Sequence, residues 1–317
     1  MTSKARQLAD LGGDTANLED ISSVLSSGPL SNRNLIINGA MQVAQRGTSF
    51  SSISSITYPV DRFIAHDVSG GSGEATVSQS TTTPDNFKYS LKWDVTTAST
   101  PLNPNDQYKV EYRIEGQDIA HLNWGTSTAQ TVTLSFWVRS NKTGNTQVSV
   151  LNSANNRSYV APFTINTANT WEKKELVISG DVSGTWLDTN GIGLRLRWGS
   201  YGSTYQTPSL DQWVAGQFMS TDSSPINFMD NTANEFYLTG VQLEVGDTAT
   251  PFEHRSYGQE LALCQRYYYK TQDNFYSMHF VRSYNSGNTY YGLFQLPVPM
   301  RADPSISFES NSIRLPS

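Results

Sequence analysis

Acid–base or metal chemistry needs titratable groups in recognisable sets, and this chain offers few. Its four histidines, His66, His121, His254 and His279, stand far apart, and none has a second histidine four positions away, the spacing that sets two imidazoles on one helix face. A single cysteine, Cys264, can build neither a thiolate zinc site nor an intrachain disulfide. Glycoside hydrolysis needs two carboxyl groups flanking the scissile bond. Glu115 with Asp118, or Asp61 with Glu74, are the pairs that can be drawn, but spacing does not make either converge. Asp61-Arg62 reads better as a turn or an orienting ion pair. Asp85, Asn86, Asp94 and Glu244 are oxygen ligands of the kind calcium takes, without EF-hand spacing. No Gly-x-Ser-x-Gly elbow, P-loop or dinucleotide-binding glycine pattern occurs. The expectation is no catalytic residue, no metal and no cofactor.

Aromatic residues are more informative. Trp124, Trp198, Tyr201, Tyr205 and Trp213 fall in loop-like sequence rich in Gly and Ser. Flat apolar faces framed by polar side chains suit sugar rings. These five are the glycan-contact candidates, against the alternative that they pack the ends of the fold or fill subunit interfaces. Trp93 and Trp137 lie in alternating runs and are expected to be packed. Two N-glycosylation sequons, at Asn141 and Asn156, are of the kind that arises by chance in a chain rich in Asn, Ser and Thr.

The elements that must position these residues are mostly strands. The 317 residues are 16% charged and 11% aromatic, with a net charge of −6. Disordered chains are richer in charge and poorer in aromatics, and long-helix proteins are rich in Ala, Glu, Lys and Leu. An acidic balance argues against nucleic acid as the main partner, because phosphate backbones need clustered Lys and Arg. No run approaches the ~20 apolar residues of a membrane-spanning helix. The first residues show no apolar h-region, which predicts no cleaved secretion signal.

Residues 1–31 differ from the rest. Leu11, Leu18 and Leu25 are spaced by seven, with Leu8 and Ile21 beside them, a short heptad-like stripe interrupted by Gly12-Gly13. It reads as a flexible arm or short surface helix, or as a segment that attaches the chain to other subunits. Residues 32–254 follow a period of two. Val132, Leu134, Phe136 and Val138 alternate with polar partners, and so do Tyr89–Val95, Tyr108–Ile114 and Leu194–Trp198. Phe236 and Leu238 alternate, then Val241, Leu243 and Val245 resume one residue out of phase, with Gly240 at the slip, where a bulge belongs. Many short strands with turns between them and no intervening helices predict a mainly β fold, a jelly-roll β-sandwich. In residues 255–317, Ser256-Tyr257-Gly258-Gln259 has capping-box spacing, and a helix is expected over Glu260–Tyr269 with Cys264 buried in it. Strand-like runs follow near Phe275–Tyr284 and Thr289–Leu296, joined by an Asn285–Asn288 turn, and a last run begins at Ile306. The expectation is a second β unit that is incomplete or is completed by a neighbouring chain.

Several of these segments carry a family resemblance. Asn34–Gly47 (NLIINGAMQVAQRG) resembles the opening of many bacteriophage tail-fibre-like virion proteins, and Tyr58–Phe63 (YPVDRF) resembles the block that follows it, with Phe in place of Trp. Ile114–Asp118 (IEGQD), Phe136–Ser140 (FWVRS), Tyr237–Gly246 (YLTGVQLEVG) leading into Thr250–Glu253 (TPFE), and Tyr257–Tyr268 (YGQELALCQRYY) are similar to the same family. The resemblance covers about residues 34–270. It implies a virion structural protein with a jelly roll like those of carbohydrate-binding modules, commonly a homotrimeric fibre or tail appendage, in some cases touching host surface glycans. It implies virion attachment through the N-terminal arm and brings no catalytic residues. The short C-terminal part departs from longer members.

The leading expectation is therefore a tail-fibre or tail-appendage subunit involved in host attachment, assembled in the host cytoplasm and located on the virion. Its expected partners are other copies of itself as a homotrimer, other virion proteins through the arm, and host surface glycan. A free-standing glycan-binding adhesion module is the alternative, and a polysaccharide depolymerase a further one.

Overall fold

The structure is a computed structural model and describes residues 32–271, 279–283, 290–293 and 295–307. The arm residues Leu8, Leu11, Leu18, Ile21 and Leu25 lie outside the described residues. The early strands are β1 (Ser49–Phe50), β2 (Thr57–Val60), β3 (Phe63–Asp67), β4 (Glu74–Ser80), β5 (Ser90–Thr97) and β6 (Gln107–Glu115). A single helical turn, α1 (Gly116–Ile119), precedes β7 (Val132–Ser140), β8 (Gly144–Asn152), β9 (Arg157–Ile165) and β10 (Glu172–Ile178). Then come β11 (Ile192–Tyr201), β12 (Gln206–Thr207), β13 (Trp213–Ala215), β14 (Ser220–Thr221) and the long β15 (Glu235–Val245). Helix α2 (Tyr257–Gln265) and the strands β16 (His279–Ser283) and β17 (Tyr290–Leu293) end the series.

A six-stranded sheet, β1-β4-β5-β15-β7-β10, faces a seven-stranded sheet, β13-β9-β8-β11-β6-β3-β2. Among the described residues the pairings within the two sheets are antiparallel. The fold is thus the expected mainly β sandwich with a small helix, and the alternating runs quoted within residues 32–254 fall on β5, β6, β7, β11 and β15. The pleat explains the core. Leu134, Phe136 and Val138 of β7 meet Val148, Tyr159, Phe163, Leu196 and Trp198 from the other sheet in one buried cluster. Phe136 packs edge-on against Phe163 (5.2 Å) and Trp198 (5.7 Å).

The opposite phase of the same strands is polar but not fully exposed. Lys109 and Glu111 of β6 and Arg197 of β11 are buried on the outer face of the seven-stranded sheet, beside half-buried Arg113 and Arg195. Glu111 lies in register with Arg197, and Arg113 with Arg195. The Glu111 carboxylate accepts from Arg197 Nε at 2.6 Å, from Arg195 Nη1 at 2.9 Å and from Arg113 Nε. Burial would raise its pKa, but Arg197, Arg113 and Arg195 outweigh burial and hold it down to about 2. Burial together with the same arginines pushes Lys109 down to about 8.

The slip at Gly240 is a real bulge, since β15 shifts register against β7 between Thr239 and Gln242. Gly240 sits at φ +60°, and a Cβ there would meet the rings of Phe87 and Trp137. A bulge frees backbone groups, and Asn34–Gly39 takes them up. Val241 N donates to Gly39 O (3.0 Å), Leu243 N to Asn34 Oδ1 (3.1 Å), and Asn34 Nδ2 to Val241 O (3.3 Å). A Cβ on Gly39 would lie 2.1 Å from Val241 O, so the chain needs glycine for this approach.

Helix α2 begins where its cap predicts. Ser256 and Gln259 form the reciprocal capping box. It starts earlier than expected and stops at Gln265, not Tyr269. The chain continues as a turn over Arg266 and Tyr267, whose side chains both bond Glu115. Burial raises the pKa of the Cys264 thiol, with Asp61 and Glu260 adding to it, which suits the expected inert position inside the helix. Strands β16 and β17 pair antiparallel as a two-stranded sheet. The Asn285–Asn288 turn lies outside the described residues. Ile306 is exposed and not in a strand.

Candidate functional site

Of the five glycan-contact candidates, Trp124, Trp198 and Tyr201 are buried, and Tyr205 and Trp213 are half-buried. Trp198 is 1% exposed and Tyr201 2%. Trp198 belongs to the inward phase of β11, where a sheet partner leaves no face free. Tyr201 packs with Leu151 and Met219 in a small separate cluster, with Tyr205 half-buried against it. Trp124 is buried and meets Trp186 (4.7 Å) and Trp213 (5.3 Å) edge to face. The indole N–H groups are spent internally: Trp124 on Gln130 O (2.7 Å), Trp213 on Ser179 O (2.7 Å), Trp186 on Asp181 and Ser183 O (both 3.3 Å). Trp124, Trp186 and Trp213 thus pack on one another, the packing alternative stated for Trp124 and Trp213. Loop-like composition misled because short strands and tight turns bury aromatics as well as long strands do.

The carboxylates are likewise engaged. Glu115 accepts from Arg266 at 2.9 and 3.0 Å and from Tyr267 Oη. Burial would raise its pKa, but the Arg266 and Tyr267 hydrogen bonds and the Arg62 charge bring it below the usual range. Its drawn partner Asp118 is exposed. Asp61 is buried, which raises its pKa against hydrogen bonds from Gln45 and the charge of Arg46. Glu74 is exposed and accepts from Ser52 instead. Asp61 and Arg62 form the two-residue turn between β2 and β3, as read, with Arg62 at φ +74°. The Asp61 ion pair runs to Arg46 (3.7 Å), not Arg62. Glu244 is committed to Thr250 (2.6 and 2.9 Å) and Asp94 to Lys92 (3.2 Å). Among the described residues no cluster of His, Cys, Asp or Glu is arranged to hold a metal.

What does come together is the set of blocks that carry the resemblance. Arg255 donates to Ile36 O (3.0 Å) and Glu260 (3.1 Å), and Glu260 accepts from Asn38 N. Glu253 accepts from Asn32 N (2.7 Å) and Asn34 N (3.0 Å). Gln45 Nε2 donates to Tyr268 O (2.9 Å). The Arg62 guanidinium lies 3.4 Å over the Tyr267 ring, and that of Arg46 lies 3.6 Å over Tyr268 and 4.3 Å over Tyr58. Residues from 34–47, 58–63, 114–118, 237–246, 250–253 and 257–268 thus build one joint between the sandwich and α2. Phe136–Ser140 stands apart, on β7.

This joint frames a cleft of ≈ 160 Å³. One wall is Tyr58 of β2, Asp61 and Arg62 of the β2–β3 turn, and Arg113 and Glu115 of β6, and the other is Cys264, Tyr267 and Tyr268. Arg46, Asn190 and Arg301 complete it. Arg301 and Asn190 hold each other through backbone carbonyls (2.8 and 2.9 Å), so the 295–307 segment crosses beside the opening. The arrangement has hydrogen-bonding edges, tyrosine rings and fixed charges, the make-up of a small polar binding site. No nucleophile–base pair is assembled in it. Its tyrosines, Arg46 and Arg62 lie within the quoted blocks while Arg113 and Arg301 do not, and nothing in sequence separation shows that positions 46, 58, 113 and 268 face one space.

Breaking the joint has a local signature. Glu115→Gln removes the charge that holds Arg266, worth about 1.5–3 kcal/mol for a charged hydrogen-bonded partner. The expected result is faster hydrogen exchange over residues 257–271 while the strands keep their protection. Equal loss in both regions would show that α2 and the sandwich unfold as one unit.

No family model matches the chain, and no curated protein matches it. Among solved structures it is similar to the C-terminal family 22 carbohydrate-binding module from Clostridium thermocellum, at 12% identity, covering 70% of this chain and 100% of that one, with a TM-score of 0.35. A xylan-binding domain from Paenibacillus barcinonensis gives 18% identity over 58% of this chain and 91% of that one, with a TM-score of 0.31. The enzymatically active domain of tailspike protein 4 from bacteriophage CBA120 gives 11% identity over 67% of this chain and a TM-score of 0.32. The chain spans about a fifth (21%) of that tailspike chain. No residue role passes from these proteins to this one.

Proposed function

We propose that this chain is a structural subunit of a bacteriophage tail fibre or tail appendage, that it works without catalysis, and that its sandwich contacts host surface glycan through the cleft beside α2. The observation that carries the reading is the joint. Most of the blocks that resemble tail-fibre-like proteins are spent on mounting α2 and the segment after it on the sandwich. Such an investment suits a protein whose task is to hold and present surfaces. The polar cleft, with tyrosine faces and convergent donors, supports the glycan contact. In this reading residues 1–31 attach the chain to the virion and the assembled form is a homotrimer.

Light scattering on the full chain and on a chain lacking residues 1–31 tests the assembly. A trimer that is lost on truncation is the expected result. A monomer in both cases would count against a fibre subunit and favour the free-standing glycan-binding module.

A further inference from the structure

The cleft is lined by four arginines, Arg46, Arg62, Arg113 and Arg301, against two carboxylates, Asp61 and Glu115. Both carboxylates are already engaged: Glu115 by Arg266 and Tyr267, Asp61 by Gln45 N (3.0 Å), Gln45 Nε2 and Arg46. The arginines are less fully used. Arg46 has one ion pair, at 3.7 Å, beyond hydrogen-bond distance, and its side chain keeps 24% exposure. Its guanidinium carbon lies 3.6 Å from the centre of the Tyr268 ring and 4.3 Å from that of Tyr58, over both rings. Ring contacts of this kind take no N–H donor, so the guanidinium keeps donors for the fork that grips a carboxylate in two hydrogen bonds. Asp61 sits behind this group as a buried, committed anion, so the residual field of the opening is positive. The volume, ≈ 160 Å³, is below the ~300–1,000 Å³ of pockets for drug-sized ligands. It suits one sugar ring rather than a run of them.

We propose that the cleft takes a single carboxylate-bearing saccharide unit, a uronic or sialic type of sugar, with Arg46 gripping the carboxylate and Arg301 supplying charge at the rim. This rests on the glycan-contact reading and narrows its ligand to acidic sugars. Arg62 and Arg113 are tied into the fold, by Tyr267 stacking and by Glu111. They contribute field and not the primary grip.

The test uses the full chain with D-glucuronate, N-acetylneuraminate, the methyl ester of glucuronate and glucose as probes, followed by saturation-transfer NMR titration. At least one of the two acids is expected to bind. The neutral ester and glucose should bind at least about tenfold more weakly, the loss of one charge-assisted bidentate contact. Arg46→Met, which keeps length and apolar contact, should reduce acid binding by a similar factor. Arg301→Ala, at an exposed position outside the joint's core, should reduce it several-fold and make it less sensitive to salt. Melting curves of both variants separate loss of the site from loss of the fold, and if Arg46→Met melts early, Arg301→Ala decides. Neutral and acidic sugars binding alike would overturn the acidic assignment and leave the glycan reading standing. Acid binding that neither variant changes would place the sugar elsewhere and overturn the site. Binding of none of the four probes overturns this proposal. A host polysaccharide then tests the broader reading separately: if it binds, that reading survives, and if it fails, both fall.

Discussion

Glu111→Ala is expected to destabilise the folded chain by about 3–5 kcal/mol, because removing one partner of a buried ion pair leaves the others uncompensated. Three arginines converge on this carboxylate, which is buried at 1% exposure. Lys109 beside it is already pushed down to about 8 by burial and by like charge. Without Glu111 the outer face of the seven-stranded sheet would hold Lys109, Arg113, Arg195 and Arg197 with no anion among them. The same geometry sets an acid limit. The folded-state pKa is held near 2, against an ordinary value of 4.5. A depressed carboxylate pKa contributes stability that is fully present above the ordinary value and is lost as pH falls through the folded one. Between about pH 4.5 and pH 2 the wild type should therefore lose on the order of 3 kcal/mol from this group. Denaturant melts of wild type and Glu111→Gln across that range check the sign: the gap between them should narrow as pH falls. A constant gap would mean that the carboxylate charge is not what the arginines require.

Trp198→Ala is expected to cost about 3–5 kcal/mol, the range for deleting a large buried aromatic. This replaces the expectation that follows from treating Trp198 as a sugar platform, in which binding falls and the fold survives. Trp198 packs on Phe136 across the two sheets and lies among the largest fully buried side chains. A chemical melt reads the loss directly. A variant as stable as wild type, with weakened glycan binding, would restore the platform reading.

Much of the architecture could be read from the alternation of apolar residues, because a pleated strand half-buried in a sandwich imposes a period of two on its own sequence. β5, β6, β7, β11 and β15 were each visible in this way, and the bulge at Gly240 showed as a one-residue slip. The capping box at Ser256 and Gln259 marked the start of α2, since that hydrogen-bond exchange is local. The end of the helix at Gln265 was not visible, and the residues that follow it, Arg266 and Tyr267, bond Glu115, about 150 positions earlier in the chain.

Site placement divides along the same line. Residue type announced that Trp198 and Tyr201 have ring faces, but the pleat phase of β11 and the turn after it decided that those faces are buried. Glu111, Arg113, Arg195 and Arg197 occupy the polar phase of their strands, and strand register gathers them into one ion cluster around Glu111. The blocks from 34–47 to 257–268 were legible as a set. That they share one joint, and leave a cleft lined by Arg46, Tyr58 and Tyr268, depends on antiparallel pairing that brings distant positions into contact. Local periodicity and capping are written within a few residues and so are determined by the sequence directly. Which polar groups face one another depends on long-range register, and only the tertiary structure decided it.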